Sequence, residues 1–169
     1  MTDREFIFEK LKALGIACRV VTHAPAHTMA DCAEVDKMLG SLTVKNIFLT
    51  TKNGKNDYLC ITRPEARFHT ADISKQAGSS RLSFAPEETL QARLHCRSGS
   101  ASPLGLWFES AREVRLIADS ALKTAETLSF HPCDNRATVA IRGADFFGKV
   151  LPDMGKEPIW VEIHDFIEA

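Results

Sequence analysis

Asn53 and Gly54 divide two apolar runs, TVKNIFLTT (43–51) and DYLCITR (57–63), and no other feature limits the possible folds as sharply. Asn-Gly favours a tight hairpin turn because both positions tolerate positive φ. The spacing therefore predicts that 43–51 and 57–63 pair as antiparallel neighbours. Alternation along the first run puts Val44, Asn46 and Phe48 on one face, and Lys45, Ile47 and Leu49 on the other. An ammonium on an apolar face is costly unless an anion or a polar cavity receives it. Two readings follow for Lys45: a rim residue whose ammonium reaches water, or a charge that faces a pocket.

Further elements flank the hairpin. Phe6, Ile7, Leu11 and Leu14 recur at helical spacing, which predicts a helix from about Asp3 to Leu14, capped by Thr2 and ended by Gly15. IACRVVTH (16–23) reads as a strand, and HTMADCAEVDKMLG (27–40) as a helix with Thr28 and Asp31 as a capping box. ADISKQAG predicts a short helix, RLSF a strand, and PEETLQARL a helix with proline at its first position. LGLWFES and EVRLIAD read as a hairpin pair, TVAIR and PIWVEI as strands, and GADFFGKVL as a helix between these last two. Regular strand–helix alternation is missing, so the fold class is mixed α and β (α+β). The expected architecture is a curved, barrel-like, largely antiparallel sheet with helices packed outside.

At 169 residues, with no internal repeat and no linker, the chain is expected to be one domain, 1–169. No apolar stretch reaches the roughly 18 residues of a membrane span, and the charged start MTDREFIFEK is unlike a secretory signal. A cytoplasmic protein with no membrane partner is the default. A net charge of −1 argues against a broad basic face that lies along nucleic acid, yet leaves room for a protein that grips only a strand end. Five scattered cysteines, without C-x-x-C, point to reduced thiols. Cys133 lies two residues from His131, a poor spacing for a thiol–imidazole nucleophile.

No phosphate-loop, dinucleotide, zincin or serine-hydrolase motif is present. Polar residues in odd places remain. Lys45 and Asn46 interrupt the strand. SGSASPLG (98–105) is a tight loop that can aim several backbone N–H groups in one direction, as a carbonyl oxygen or a phosphate requires; as an ordinary turn it needs no function. In SFHPCDN (129–135), His131 is held extended by Pro132 and is either a ligand contact or a satisfied core histidine. His23 and His27 in HAPAHT lack a third partner, so neither metal nor cofactor is expected.

HAPAHT, VKNIFL, RLSF, GSASPLGL and SFHPCDN stand in the order found in the YbaK/prolyl-tRNA-synthetase-associated domain family, and the likeness spans about Ile16 to Ile163. The chain resembles the free-standing, alanine-specific editing branch, whose Lys-Asn pair falls on Lys45 and Asn46, where cysteine-clearing relatives carry Lys-Thr. The resemblance implies a trans-editing deacylase that hydrolyses alanine from mischarged proline tRNA. Lys45, Asn46 and His131 would be catalytic, and the loop Gly99, Ser100, Ala101, Ser102 and Pro103 would bind substrate. The implied partners are the acceptor end of tRNA(Pro) and, transiently, prolyl-tRNA synthetase or an elongation factor. His27 departs from the larger side chain usual among relatives. The competing readings are a deacylase for cysteine- or serine-mischarged tRNA and a non-catalytic binder on the same fold.

Overall fold

A computed structural model describes residues 1–23, 40–97 and 99–163. The hairpin is in place: β3 (Lys45–Thr51) and β4 (Asp57–Thr62) run antiparallel, with Ile47 opposite Cys60 and Leu49 opposite Tyr58. Its turn is held by the Asn53 side-chain oxygen, which accepts from Thr51 Oγ1 at 2.7 Å and from the Lys55 N–H at 3.0 Å. Gly54 has φ +69°, a backbone region that glycine enters without strain.

The remaining described elements are α1 (Asp3–Ala13), β1 (Cys18–Thr22), β2 (Leu42–Thr43), α2 (Thr70–Gln76), β5 (Leu82–Phe84), α3 (Glu87–Leu94), β6 (Arg115–Asp119), β7 (Thr127–Phe130), β8 (Ala137–Arg142), a helix α4 over 143–153 and β9 (Ile159–Val161). Thr2 and Glu5 form a full capping box on α1, which buries Ile7 and Leu11. Pro86 caps α3 from outside rather than occupying its first position. The middle of α4, Phe146–Val150, is a π-helical turn. The expected helix over 27–40 lies outside the described residues, save Gly40. None of the described helices is long and apolar enough to cross a membrane.

The mixed α+β class holds, but the barrel-like sheet does not: the strands form two sheets, ordered β5-β3-β4-β6-β9 and β1-β8-β7-β2, and neither closes. Among the described residues four strand pairings are antiparallel and three are parallel. The second hairpin fails for a local reason. LGLWFES is not a strand: Pro103–Trp107 and Glu109–Ala111 are 3₁₀ turns, begun by Pro103 and capped by the Ser102 hydroxyl, which accepts from the Leu104 N–H at 3.1 Å. β6 therefore finds its partners in β4 and β9, both parallel to it.

The main core lies between the sheets. It joins Val44, Phe48, Leu59 and Ile61 to Phe130, Val139 and Ile141, with Ile7, Leu11, Leu94 and Phe146 from the helices. On the other face of the five-stranded sheet, Ile47, Leu49, Tyr58 and Cys60 pack with Ile73 of α2. β4 is thus buried along its whole length, which explains an apolar run without alternation. At the end of β6, the buried Asp119 carboxylate accepts from the Arg63 N–H and Nε at 3.2 and 3.1 Å, and from the Ala121 N–H at 3.0 Å.

Gly143, where β8 turns into α4, has no room for a side chain: a Cβ would sit 2.3 Å from the Ala125 carbonyl oxygen. Gly143→Ala is expected to destabilise the fold by about 1–3 kcal/mol, the range for overpacking. A lowered urea midpoint with an unchanged slope checks this.

Candidate active site

Lys45 opens β3 and faces Thr62 across the ladder; its side chain is half-buried and, among the described residues, has no ion pair. Ile47 and Leu49 belong to the smaller core and Val44 and Phe48 to the larger, so the strand has the two faces its alternation predicts. Asn46 follows on the face toward the main core. Its amide nitrogen donates weakly to the Val44 carbonyl at 3.4 Å, while its side-chain oxygen is buried with no hydrogen-bond partner among the described residues. An orphaned buried acceptor is costly, so it marks a place where a donor is wanted. A cation and an empty acceptor therefore stand on consecutive residues.

His131 follows directly on β7. The ring is buried, and Nδ1 lies 2.8 Å from the Ala137 carbonyl oxygen. A carbonyl only accepts, so Nδ1 carries a proton. The His23 ring stands edge-on to it, centroids 6.2 Å apart, and His23 Nε2 is 2.7 Å from Thr138 Oγ1. His27 and the rest of HAPAHT lie outside the described residues.

Gly99–Pro103 forms a turn after α3. Gly99 has φ +88°, and the Ser100 N–H donates to the Arg97 carbonyl at 3.0 Å. Ser100 and Ser102 are both buried. Since the turn itself uses the Ser100 N–H and proline has none, Gly99, Ala101 and Ser102 are the loop's remaining backbone donors. The expected donor array is thus smaller than the loop's length suggests.

Contacts show how these segments meet. The Val44 N–H donates to the Ser129 carbonyl at 3.4 Å, which sets the start of β3 beside β7, two residues before His131. The Ser41 and Ser129 hydroxyls are hydrogen-bonded in the same place. On its other side the His131 segment shares a cleft with the Gly99–Pro103 loop, lined by Cys133 and Ser100. Cys133 also approaches Cys96, three residues before Gly99, with the sulfurs 2.8 Å apart. The His131 segment is the hub between the Lys45–Asn46 corner and the loop.

Cys133 is not poised as a nucleophile. Its hydrogen bond with Cys96, and then burial, push its thiol well above the usual range. Burial, and then Asp119, push Cys60 up to about 12. The cleft beside the site also carries Arg4, His95, Arg97 and Arg136, none of which stands out in the sequence. Dispersed over the chain, they leave no local pattern.

A model described as the aminoacyl-tRNA editing domain matches residues 23–148. The prolyl-tRNA editing protein ProX of Acetoanaerobium sticklandii is 30% identical over 145 residues, covering 86% of this chain and 88% of that one. The prolyl-tRNA synthetase associated domain-containing protein 1 of Bos taurus is 31% identical over 160 residues, 92% of each chain. Among solved structures, one described as a candidate trans-editing enzyme for prolyl tRNA synthetase superposes with a TM-score of 0.73, covering 98% of this chain and 99% of that one. At 15% identity it speaks to the fold alone.

Proposed function

The chain belongs to the aminoacyl-tRNA editing domain family, and from that premise we propose that it is a trans-editing enzyme that hydrolyses the ester joining alanine to proline tRNA. The observation that carries this reading is the buried Asn46 oxygen beside the Lys45 ammonium, neither with a partner among the described residues. An aminoacyl ester offers what each lacks: an α-ammonium that donates, and a carbonyl and a nearby phosphate that accept charge.

In this mechanism Asn46 receives the amino group of the substrate. Lys45 faces the terminal phosphate or the oxyanion formed when water adds to the ester carbonyl. The free N–H groups of Gly99, Ala101 and Ser102 hold the carbonyl or the terminal ribose, with Ser100 and Pro103 shaping the turn. His131 orients the water or the substrate. Collapse of the tetrahedral intermediate breaks the ester C–O bond, and the proton shed by the attacking water passes to the leaving ribose oxygen, with the neighbouring ribose hydroxyl assisting. An aminoacyl ester is already reactive, so positioning and charge suffice.

Selectivity has a thermodynamic reason. A synthetase pocket built for proline rejects the smaller alanine by only about 1–3 kcal/mol per missing methylene, so a second and smaller sieve is needed. The same reading takes 1–169 as one cytoplasmic editing domain, with the acceptor end of tRNA(Pro) as partner and the synthetase or an elongation factor as transient contacts. The test is deacylation by purified protein of proline tRNA charged with alanine, serine, cysteine or proline. Alanine release with proline spared is the expected result. Release no faster than buffer overturns catalysis, and faster clearance of cysteine or serine overturns the specificity.

A further inference from the structure

Beside the candidate site lies a cleft of about 500 Å³, lined by the N-terminal turn of α1, the end of α3 and the segment 133–136. We propose that this cleft is a phosphodiester-binding groove for the acceptor strand of the tRNA, a subsite separate from the residues that handle the ester; the proposal rests on the deacylase reading.

Position and free charge carry it. Arg97 stands two residues before the Gly99–Pro103 loop and Arg136 directly follows the His131 segment, so a guanidinium flanks each of the two candidate-site segments. Both side chains are exposed, and among the described residues neither makes an ion pair. Arg4 adds a third, held loosely 3.8 Å from Asp134. His95 lies flat on Phe108, centroids 3.9 Å apart, with Asp3 at 3.2 Å. Three guanidiniums thus face two carboxylates, on a chain whose net charge is −1.

A second cleft, of about 490 Å³, shows that positive residues alone do not make such a groove. There Lys156 donates to the Ala111, Arg112 and Val114 carbonyls at 2.9, 3.1 and 2.5 Å, Arg112 pairs with Glu109, and Arg115 lies over Tyr58. Lys156 is committed to the fold, Arg115 to an aromatic ring, and Arg112 has a carboxylate partner. In the first cleft Arg97 and Arg136 make no ion pair among the described residues, and planar guanidiniums suit phosphate oxygens. Only a few phosphates fit against three arginines, as expected of a protein that grips a strand end.

The test compares wild type with the double variant Arg97→Ala/Arg136→Ala. Binding of uncharged proline tRNA is measured by fluorescence anisotropy across a salt series, and deacylation on alanine-charged tRNA and on the alanine ester of adenosine, which has no phosphodiester. The variant is expected to bind uncharged tRNA about tenfold or more weakly and to lose about 0.7–0.9 of salt slope per contact removed. KM for charged tRNA should rise with kcat unchanged, and the adenosine ester should be cleaved at the wild-type rate. Wild-type affinity and slope in the variant would overturn the groove, as would an equal loss on the adenosine ester. If the wild type cleaves no aminoacyl ester, the deacylase reading fails, while the uncharged-tRNA measurement still decides the groove.

Discussion

Replacing Lys45 with alanine is expected to lower alanine release from charged proline tRNA by about a hundredfold or more, the scale of losing one charge-stabilising donor. The fold should barely notice. Lys45 begins its strand, its backbone pairing with Thr62 needs no side chain, and no ion pair is broken among the described residues. Alanine in place of lysine at a half-buried strand position costs well under about 1 kcal/mol. Lys45→Arg keeps the charge but moves and spreads it, so partial activity is expected if the ammonium acts as a point charge. Single-turnover deacylation alongside a thermal melt checks this. Full activity in the alanine variant, or a variant that does not fold, removes Lys45 from the mechanism.

Asp119→Ala is expected to produce the largest loss of stability outside the site, about 3 kcal/mol. The carboxylate is buried and accepts three hydrogen bonds: two from Arg63 and one that caps the turn after β6. Without it, Arg63 retains the Ile163 carbonyl at 2.9 Å and partial contact with water, which places the cost at the lower end for a broken buried pair. For a chain of this length that amounts to roughly ten degrees of melting temperature. Calorimetry checks it, and a shift within a degree or two of wild type would show that the pair is energetically idle.

Much of the fold was legible because its signals are local. The Thr2 cap, Gly15 and the Asn53–Gly54 turn each act over a few residues, and α1 and the β3–β4 hairpin fall where these signals put them. The two faces of β3 were legible for the same reason, since alternation needs no partner. LGLWFES misled because an apolar run outweighed Ser102–Pro103, which is itself a helix-start signal. The division into two sheets was not legible. It depends on β6 choosing β4 and β9 from distant parts of the chain. Within the candidate site, Lys45, Asn46 and His131 stood out as polar residues in apolar company. The cleft arginines at 4, 97 and 136 did not, because only folding brings them together.

One residue, Val44, carries the chain from the four-stranded sheet to the five-stranded one, between Thr43 of β2 and Lys45 of β3. Lys45 and Asn46 thus ride on one layer and His131 on the other, with the main core as the spacer between them. On the proposed editing reading, jaws mounted this way act like callipers whose gap is set at the screw and not at the tips. On that reading, bulk added or removed at Phe48 or Phe130, both in the main core and neither among the proposed catalytic residues, is expected to change how alanine and proline are told apart.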